Sequence, residues 1–598
     1  MSVHDHHGYG YRRPAPGPLA NNGASVGGLL AAWGRWVANC IWWLEHAFER
    51  ARADGRPEED TRVRIFIIMI LFGITFTALV IGAAHAAVFA PRGGVGSGFN
   101  PGALTRADLL DRNGRLLATN ITHYGLYIDP REVWDREAAK AQLLEALPRI
   151  PARKLDKVLS GERRLIVLPG LTPSERRRVH GLALGGVSFE PEDRRVYPLG
   201  TSAVHLIGRA DTGAEGISGA ELAFDKEIRA AGAMGGDFQL SIDLRVQGVV
   251  ENELAAAAEA AGAKGGIAVV SNVQTGEILA MASWPTYDAN RRNQAPEAAL
   301  LNRVTSAHYE MGSIFKSFTV AAGLDTGRAD INTLFDASQA FQIGRRRITD
   351  FHAKNKVMTL EEVYLNSSNI GTSRLAVEMG PDVMRDYFKR LGLLDAAPIE
   401  LKESARPSAV RKWDDSTLAS LSFGYGILVT PIQAVAAYGA LTNGGRYIAP
   451  TLRRGGVPDA QARQVVSPET SATMLELMRR NVARGSGGRA NAPGLRVGGK
   501  TGSANKLVKG RYDPTVAVGS FAAVFPTDGP VTATRYSVFV LIDEPSQYPR
   551  TGGFVAAPAV GRIADRSAAF LGIERRDDRW FTATGVKIPQ PVDAAVAQ

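Results

Sequence analysis

Three short motifs in this sequence could together carry out acyl transfer. The first is Ser313-Ile314-Phe315-Lys316, followed by an apolar stretch that suits a helix. A spacing of three on a helix puts both side chains on one face. A lysine so placed takes the serine proton once burial or a neighbouring cation lowers its pKa. The second is Ser367-Ser368-Asn369, which sets a hydroxyl and an amide two residues apart. The third is Lys500-Thr501-Gly502-Ser503. Its glycine would let a substrate backbone approach closely, and the flanking cation and hydroxyls would hold a carboxylate.

Each motif alone is weak. At average residue usage a bare Ser-x-x-Lys is expected roughly two or three times in a chain of this length by chance, a Ser-x-Asn about once or twice, and a Lys-Thr-Gly on the order of 0.1 times. What gives the set its force is the order of the three and the texture around them. From about residue 236 the pattern reads as a strand (Phe238 to Ile242), then a helix (Leu244 to Ala261). Two strands follow (Gly266 to Ser271 and Glu277 to Ser283), joined at Gln274-Thr275-Gly276. That order points to a layered α/β domain.

The remaining sequence must anchor and present this domain. Ile65 to Ala84 reads IFIIMILFGITFTALVIGAA, with no charge. Twenty helical residues at about 1.5 Å each span roughly 30 Å, the thickness of a bilayer core. Arg50, Arg52, Arg56, Arg62 and Arg64 precede the run, and Arg92 alone follows it closely. That asymmetry places the N-terminus in the cytoplasm and the rest outside. Ala84-His85-Ala86 resembles a signal-peptidase site, but the preceding region is too long for a signal peptide, so an uncleaved anchor over 65–86 is expected.

Residues 1–64 form the expected cytoplasmic tail. Its first part is rich in Gly, Pro, Ala and His, and His4, His6 and His7 read as solvated and not as metal ligands. Within 29–48, Leu29, Trp33, Trp36, Val37, Cys40, Ile41, Leu44 and Phe48 follow helical spacing. That segment is either an interfacial helix on the inner leaflet or a docking helix for a membrane partner. Cys40 is the sole cysteine, so no intramolecular disulfide forms. The formal net charge is +10, with no dense basic stripe that would indicate nucleic-acid binding.

Residues 91–235 read as an α+β pedestal. A hairpin signal stands at Asn113-Gly114, helical patterns run over Glu137 to Leu147 and Ser174 to His180, and turns fall at Tyr197-Pro198-Leu199-Gly200 and Gly213-Ala214-Glu215-Gly216. Residues 236–576 form the expected catalytic domain, and 577–598 a tail without motifs. About 145 residues between anchor and catalytic domain leave no room for a second, glycosyltransferase domain.

The three ordered motifs match a signature known for class A β-lactamases and penicillin-binding proteins. Over roughly residues 60–575 the chain resembles the class B, monofunctional penicillin-binding proteins, and among them the septal transpeptidases. Further stretches carry the resemblance: Asp111-Arg112-Asn113-Gly114, Thr275-Gly276-Glu277-Ile278-Leu279-Ala280-Met281, Pro285-Thr286-Tyr287-Asp288-Ala289-Asn290, Phe423-Gly424-Tyr425-Gly426 with Thr430-Pro431, and Gly552-Gly553 with Ala556-Ala557-Pro558. Met311 departs from the proline that many relatives carry before Gly-Ser, and replaces no catalytic atom.

The resemblance implies an antiparallel sheet flanked by helices, preceded by a dimerisation-type pedestal and one transmembrane helix. It implies a peptidoglycan D,D-transpeptidase with its catalytic domain in the periplasm, open to β-lactams and needing no cofactor or metal. Ser313 would attack the stem peptide and Lys316 would be the general base. Ser367, supported by Lys500, would relay a proton to the leaving amine, and Asn369 would orient the substrate amide. Thr501, Gly502 and Ser503 would bind the substrate end, with the Ser313 and Ser503 N–H groups as oxyanion hole. A glycan polymerase of the FtsW type and other division proteins are the implied partners. A lateral-wall enzyme, or a β-lactam sensor or scaffold without turnover, are the alternatives; depletion would give filaments for a septal enzyme and round cells for a lateral one.

Overall fold

The computed structural model describes Asn39, Trp42, Ile65, residues 67–80 and residues 106–576. The chain falls into two units, 1–95 and 96–598. In the first, residues 67–80 are helical and their large apolar side chains face outward, Phe72 being 74% exposed and Ile68 66%. Among the described residues no helix is long and apolar enough to cross a membrane. The amphipathic pattern over 29–48 lies outside the described residues except at Asn39 and Trp42.

The second unit opens with strands β1 (Leu109–Leu110) and β2 (Leu116–Ile128), joined by the turn the Asn-Gly pair predicts. Gly114 there has a φ of +80°, a conformation glycine adopts without Cβ strain. Helices α1 (Arg136–Ala146) and α2 (Ala152–Leu159) follow, then β3 (Leu165–Leu171), α3 (Pro173–His180) and β4 (Val187–Val196). Strand β2 pairs antiparallel with both β3 and β4, and Leu126, Ile128, Leu143, Leu155 and Val167 form a core of their own beneath it.

The first strand of the next region is shorter than its apolar run predicts. Only Phe238–Gln239 (β5) is ladder-paired, running parallel to β1. Leu240 instead bridges to Arg453, and Asp243 turns the chain by capping helix α4 (Leu244–Ala260) with its carboxylate on the Arg245 N–H. Strands β6 (Gly265–Asn272) and β7 (Ile278–Trp284) then form the expected antiparallel hairpin.

Three late strands complete that sheet: β8 (Gly498–Val508), β9 (Arg511–Phe525) and β10 (Tyr536–Asp543). Their order is β8-β9-β10-β6-β7, antiparallel throughout, which leaves β8 at one edge. Alternate residues of each strand enter different cores. Ala268, Val270, Phe521, Val538 and Val540 meet α4 and helix α10 (Ala557–Ser567) on one face. Ile267, Val269, Val518, Phe539 and Leu541 meet a second layer of helices on the other. These are helix α5 (Phe315–Asp325), α6 (Leu360–Leu365), α7 (Asn369–Met379), α8 (Pro431–Ala440) and α9 (Pro468–Arg484). Residues Phe315 to Gly323 of α5 are all buried, so this helix runs through the middle of its layer.

Candidate active site

Ser313 stands in a single 3-10 turn, Gly312–Ile314, that feeds directly into α5. The turn lies hard against strand β8. Gly312 has a φ of +55°, and a Cβ there would come 2.3 Å from the Ser503 carbonyl oxygen. Its lack of a side chain is therefore what lets the nucleophile turn and the backbone of Ser503 approach each other.

One turn on from Ser313, Lys316 is 0% exposed and its amine meets Ser313, Ser367 and Asn369 of the first two motifs. Nζ donates to the Ser367 carbonyl oxygen (2.5 Å) and to Asn369 Oδ1 (2.8 Å), and lies 3.0 Å from both Ser313 Oγ and Ser367 Oγ. A carbonyl and an amide oxygen only accept. They take the two N–H bonds of a neutral amine and leave its lone pair for a hydroxyl proton. Burial first, and the Lys500 charge second, hold Lys316 well below the usual lysine range. Lys500 is also 0% exposed, and burial pushes it down to about 7. Its ammonium lies 5.8 Å from the centre of the Tyr364 ring and 3.5 Å from Thr501 Oγ1. Among the described residues neither lysine forms an ion pair.

Strain and capping hold the second motif. Ser367 has a φ of +57°, an unusual conformation for a residue with a Cβ, and it turns both of its oxygens toward Lys316. Asn369 donates from Nδ2 to the Thr349 carbonyl (3.0 Å), which fixes its amide with the oxygen toward the lysine. Ser368 caps α7, its Oγ accepting the Gly371 N–H (3.0 Å) and donating to Asp350 (2.7 Å), and that carboxylate braces the cap by accepting the Ile370 N–H as well (3.0 Å).

The third motif runs along β8. Thr501 Oγ1 is 3.1 Å from Ser486 Oγ, and Ser503 Oγ accepts the Gly552 N–H at 3.0 Å. Gly502 is buried. A Cβ there would meet Ser520 Oγ at 2.4 Å and the Met311 carbonyl at 2.6 Å, so its smallness seats the strand on its own protein. The cleft in front is about 770 Å³. Ser313, Ser367, Asn369, Thr501, Ser503 and Tyr425 line it, while both lysines lie behind its wall.

The structure thus brings Ser313, Lys316, Ser367 and Asn369 into direct contact and sets Thr501 and Ser503 along the same cleft. Sequence reasoning missed Asp350, Ser486 and Phe351, a ring at the cleft that is 77% exposed. Ser486 had a signal in the run Gly485-Ser486-Gly487-Gly488. Asp350 had none, because its partners lie 18 and 20 residues away. Among the described residues no group of His, Cys, Asp and Glu is arranged to hold a metal ion.

Comparison with known proteins bears directly on this geometry. Residues 266–565 match the family model of the penicillin-binding protein transpeptidase domain, and residues 103–233 that of the penicillin-binding protein dimerisation domain. The chain is 49% identical over 585 residues to a probable peptidoglycan D,D-transpeptidase FtsI of Caulobacter vibrioides, covering 94% of this chain and 98% of that one. It is 32% identical to a probable peptidoglycan D,D-transpeptidase PenA of Neisseria meningitidis, over 81% of this chain and 87% of that one. To peptidoglycan D,D-transpeptidase FtsI of Escherichia coli it is 30% identical, over 79% and 84%. The chain belongs to the penicillin-binding proteins, and a dimerisation domain ahead of a transpeptidase domain makes it one of class B.

Proposed function

We propose that this protein is a peptidoglycan D,D-transpeptidase that cross-links stem peptides during septal wall synthesis. The observation that carries the reading is the amine of Lys316, buried, in no ion pair among the described residues, and 3.0 Å from Ser313 Oγ. Ser313 passes its proton to Lys316 while Oγ attacks the carbonyl of the penultimate D-alanine. The bond to the terminal D-alanine breaks, and Ser367, with Lys500 behind it, delivers a proton to the departing amine. An amine of a neighbouring stem then attacks the ester and releases Ser313. Asn369 orients the substrate amide. The Ser313 and Ser503 N–H groups hold the oxyanion, each such donor being worth about 3–4 kcal/mol in the transition state.

The free edge of β8 supports the assignment of Thr501, Gly502 and Ser503 as the substrate strand, since an extended peptide adds to an open sheet edge. The hydroxyls of Thr501 and Ser503 receive the terminal carboxylate. No metal or organic cofactor enters this scheme. β-Lactams acylate the same serine.

Residues 65–86 are the membrane anchor in this reading, with 1–64 cytoplasmic, the pedestal over 91–235, the transpeptidase domain over 236–576 and a tail over 577–598. The outward apolar side chains of 67–80 support the anchor. So do Thr75 and Thr77, whose hydroxyls bond back to the Leu71 and Gly73 carbonyls and so satisfy themselves within the helix. A glycan polymerase of the FtsW type is the partner we expect at the anchor and pedestal. Similarity to FtsI proteins along nearly the whole length supports the septal role over a lateral-wall one.

Incubating the detergent-solubilised chain with a fluorescent penicillin tests the reading. A covalent band in wild type that vanishes in Ser313→Ala is the expected outcome. No band in folded wild type would remove the catalytic assignment.

A further inference from the structure

Three residues before the nucleophile, Glu310 is a buried carboxylate with no cation paired to it among the described residues. One oxygen, Oε1, accepts two bonds: from the Gly426 N–H at 2.7 Å and from the Tyr512 hydroxyl at 2.8 Å. Burial holds its carboxyl above the usual range. A carboxylate taken out of water with no cation paired to it is costly. Its place three residues before Ser313 calls for a task.

The two donors come from different walls of the cleft. Gly426 belongs to the loop that carries Tyr425, a cleft residue. Tyr512 lies on the far end of the β8–β9 hairpin. That end is not a plain continuation of the sheet. The ladder pairs Asn505 with Ala517 but Lys506 with Asp513, so three residues of β9 are extra and the hairpin breaks into a base and an outer arm. Pro514, within the break, and Ala517, at its edge, line the cleft. Lys506 ties the start of the arm to Asp543 (3.0 Å) and Glu544 (2.7 Å). Further out, Tyr512 ties it to Glu310, and its ring meets Tyr425 edge-on at 5.1 Å. Tyr425 in turn accepts the Asn505 N–H at 3.0 Å.

We infer that Glu310 and Tyr512 are positioning residues for the acylation reaction. Their hydrogen bond is a clasp that holds the outer arm of the β8–β9 hairpin against the nucleophile turn and thereby sets the width of the cleft for the acyl donor. Glu310 acts through the arm and the Gly426 loop, not on the reacting atoms.

The inference rests on acylation of Ser313 as proposed above, and the two fail differently: that reading falls if wild type gives no covalent band, this one if an acylating enzyme is indifferent to the clasp. Stopped-flow acylation of the full detergent-solubilised chain by fluorescent penicillin separates the dissociation constant of the non-covalent complex from the rate constant of ester formation. Tyr512→Phe keeps the ring against Tyr425 and loses the hydroxyl. It should raise the dissociation constant about 10-fold, the scale of one hydrogen bond to a charged acceptor, with little change in the rate at saturation and faster amide hydrogen exchange over 506–516. Glu310→Ala releases both walls and should slow the rate at saturation as well. Glu310→Gln, whose amide oxygen still accepts both bonds, should recover most of the loss. An unchanged dissociation constant in Tyr512→Phe, or Glu310→Gln as impaired as Glu310→Ala at equal melting temperature, would overturn the clasp. Should Glu310→Ala fail to fold, Tyr512→Phe with its exchange pattern decides alone.

Discussion

Residue by residue, the proposed chemistry turns on two lysines that form no ion pair among the described residues. As the proposed base, Lys316 must give up its proton, and burial and then the charge of Lys500 both favour that loss. Burial holds Lys500 down to about 7, so it carries its charge below that pH. Lys500→Met removes a neighbouring cation, so the pKa of Lys316 rises and the acid limb of the acylation rate moves to higher pH. A rate-versus-pH profile with fluorescent penicillin checks this; a limb that stays in place, whatever the drop in amplitude, would show that Lys500 does not act on Lys316 through its charge.

At the scale of elements, Ser313 is only as well placed as helix α5. Phe318 is wholly buried in it, its ring 5.1 Å from that of Phe315, which in turn lies 5.6 Å from Phe388. Phe318→Ala should lower the unfolding free energy by about 3–5 kcal/mol through lost burial and an unfilled cavity, measured by urea unfolding of the wild type and the variant. A loss below about 1 kcal/mol would mean the layer collapses around the gap. What sequence reading could see here follows from locality. The β6–β7 hairpin, the Asn-Gly turn and α4 are written in runs of adjacent residues, and their limits fall within a few positions of expectation. The Ser-x-x-Lys spacing likewise gave the first contact of the site. The outer arm of β8–β9, the positive φ of Ser367 and the Asp350 brace are not written locally. Each is imposed by partners far along the chain, which no periodicity reports.

Across the whole molecule the same lysines tie stability to pH. Their protons are bound weakly in the folded state and at the ordinary lysine pKa, about 10.4, in the unfolded chain. Between about pH 7 and 10 the unfolded state thus holds more protons, and stability rises with pH, by up to one proton of slope per lysine. Above that window tyrosines such as Tyr387 and Tyr447, held at about 12 when folded, reverse the trend. Urea unfolding at stepped pH should show the rise, and Lys500→Met should flatten it; equal slopes in both proteins would argue against a depressed Lys500.

The open edge of β8 has a cost of another kind. A strand left unpaired for a substrate is equally available to a second copy of itself, and such edges seed sheet-to-sheet aggregation. Here the flat run is short. The break after Asn505 bends the strand, Pro514 interrupts its partner's donors, and exposed Lys509 places a charge at the tip. The irregularity that shapes one wall of the cleft also limits the open edge to a length that suits a short peptide and discourages self-association.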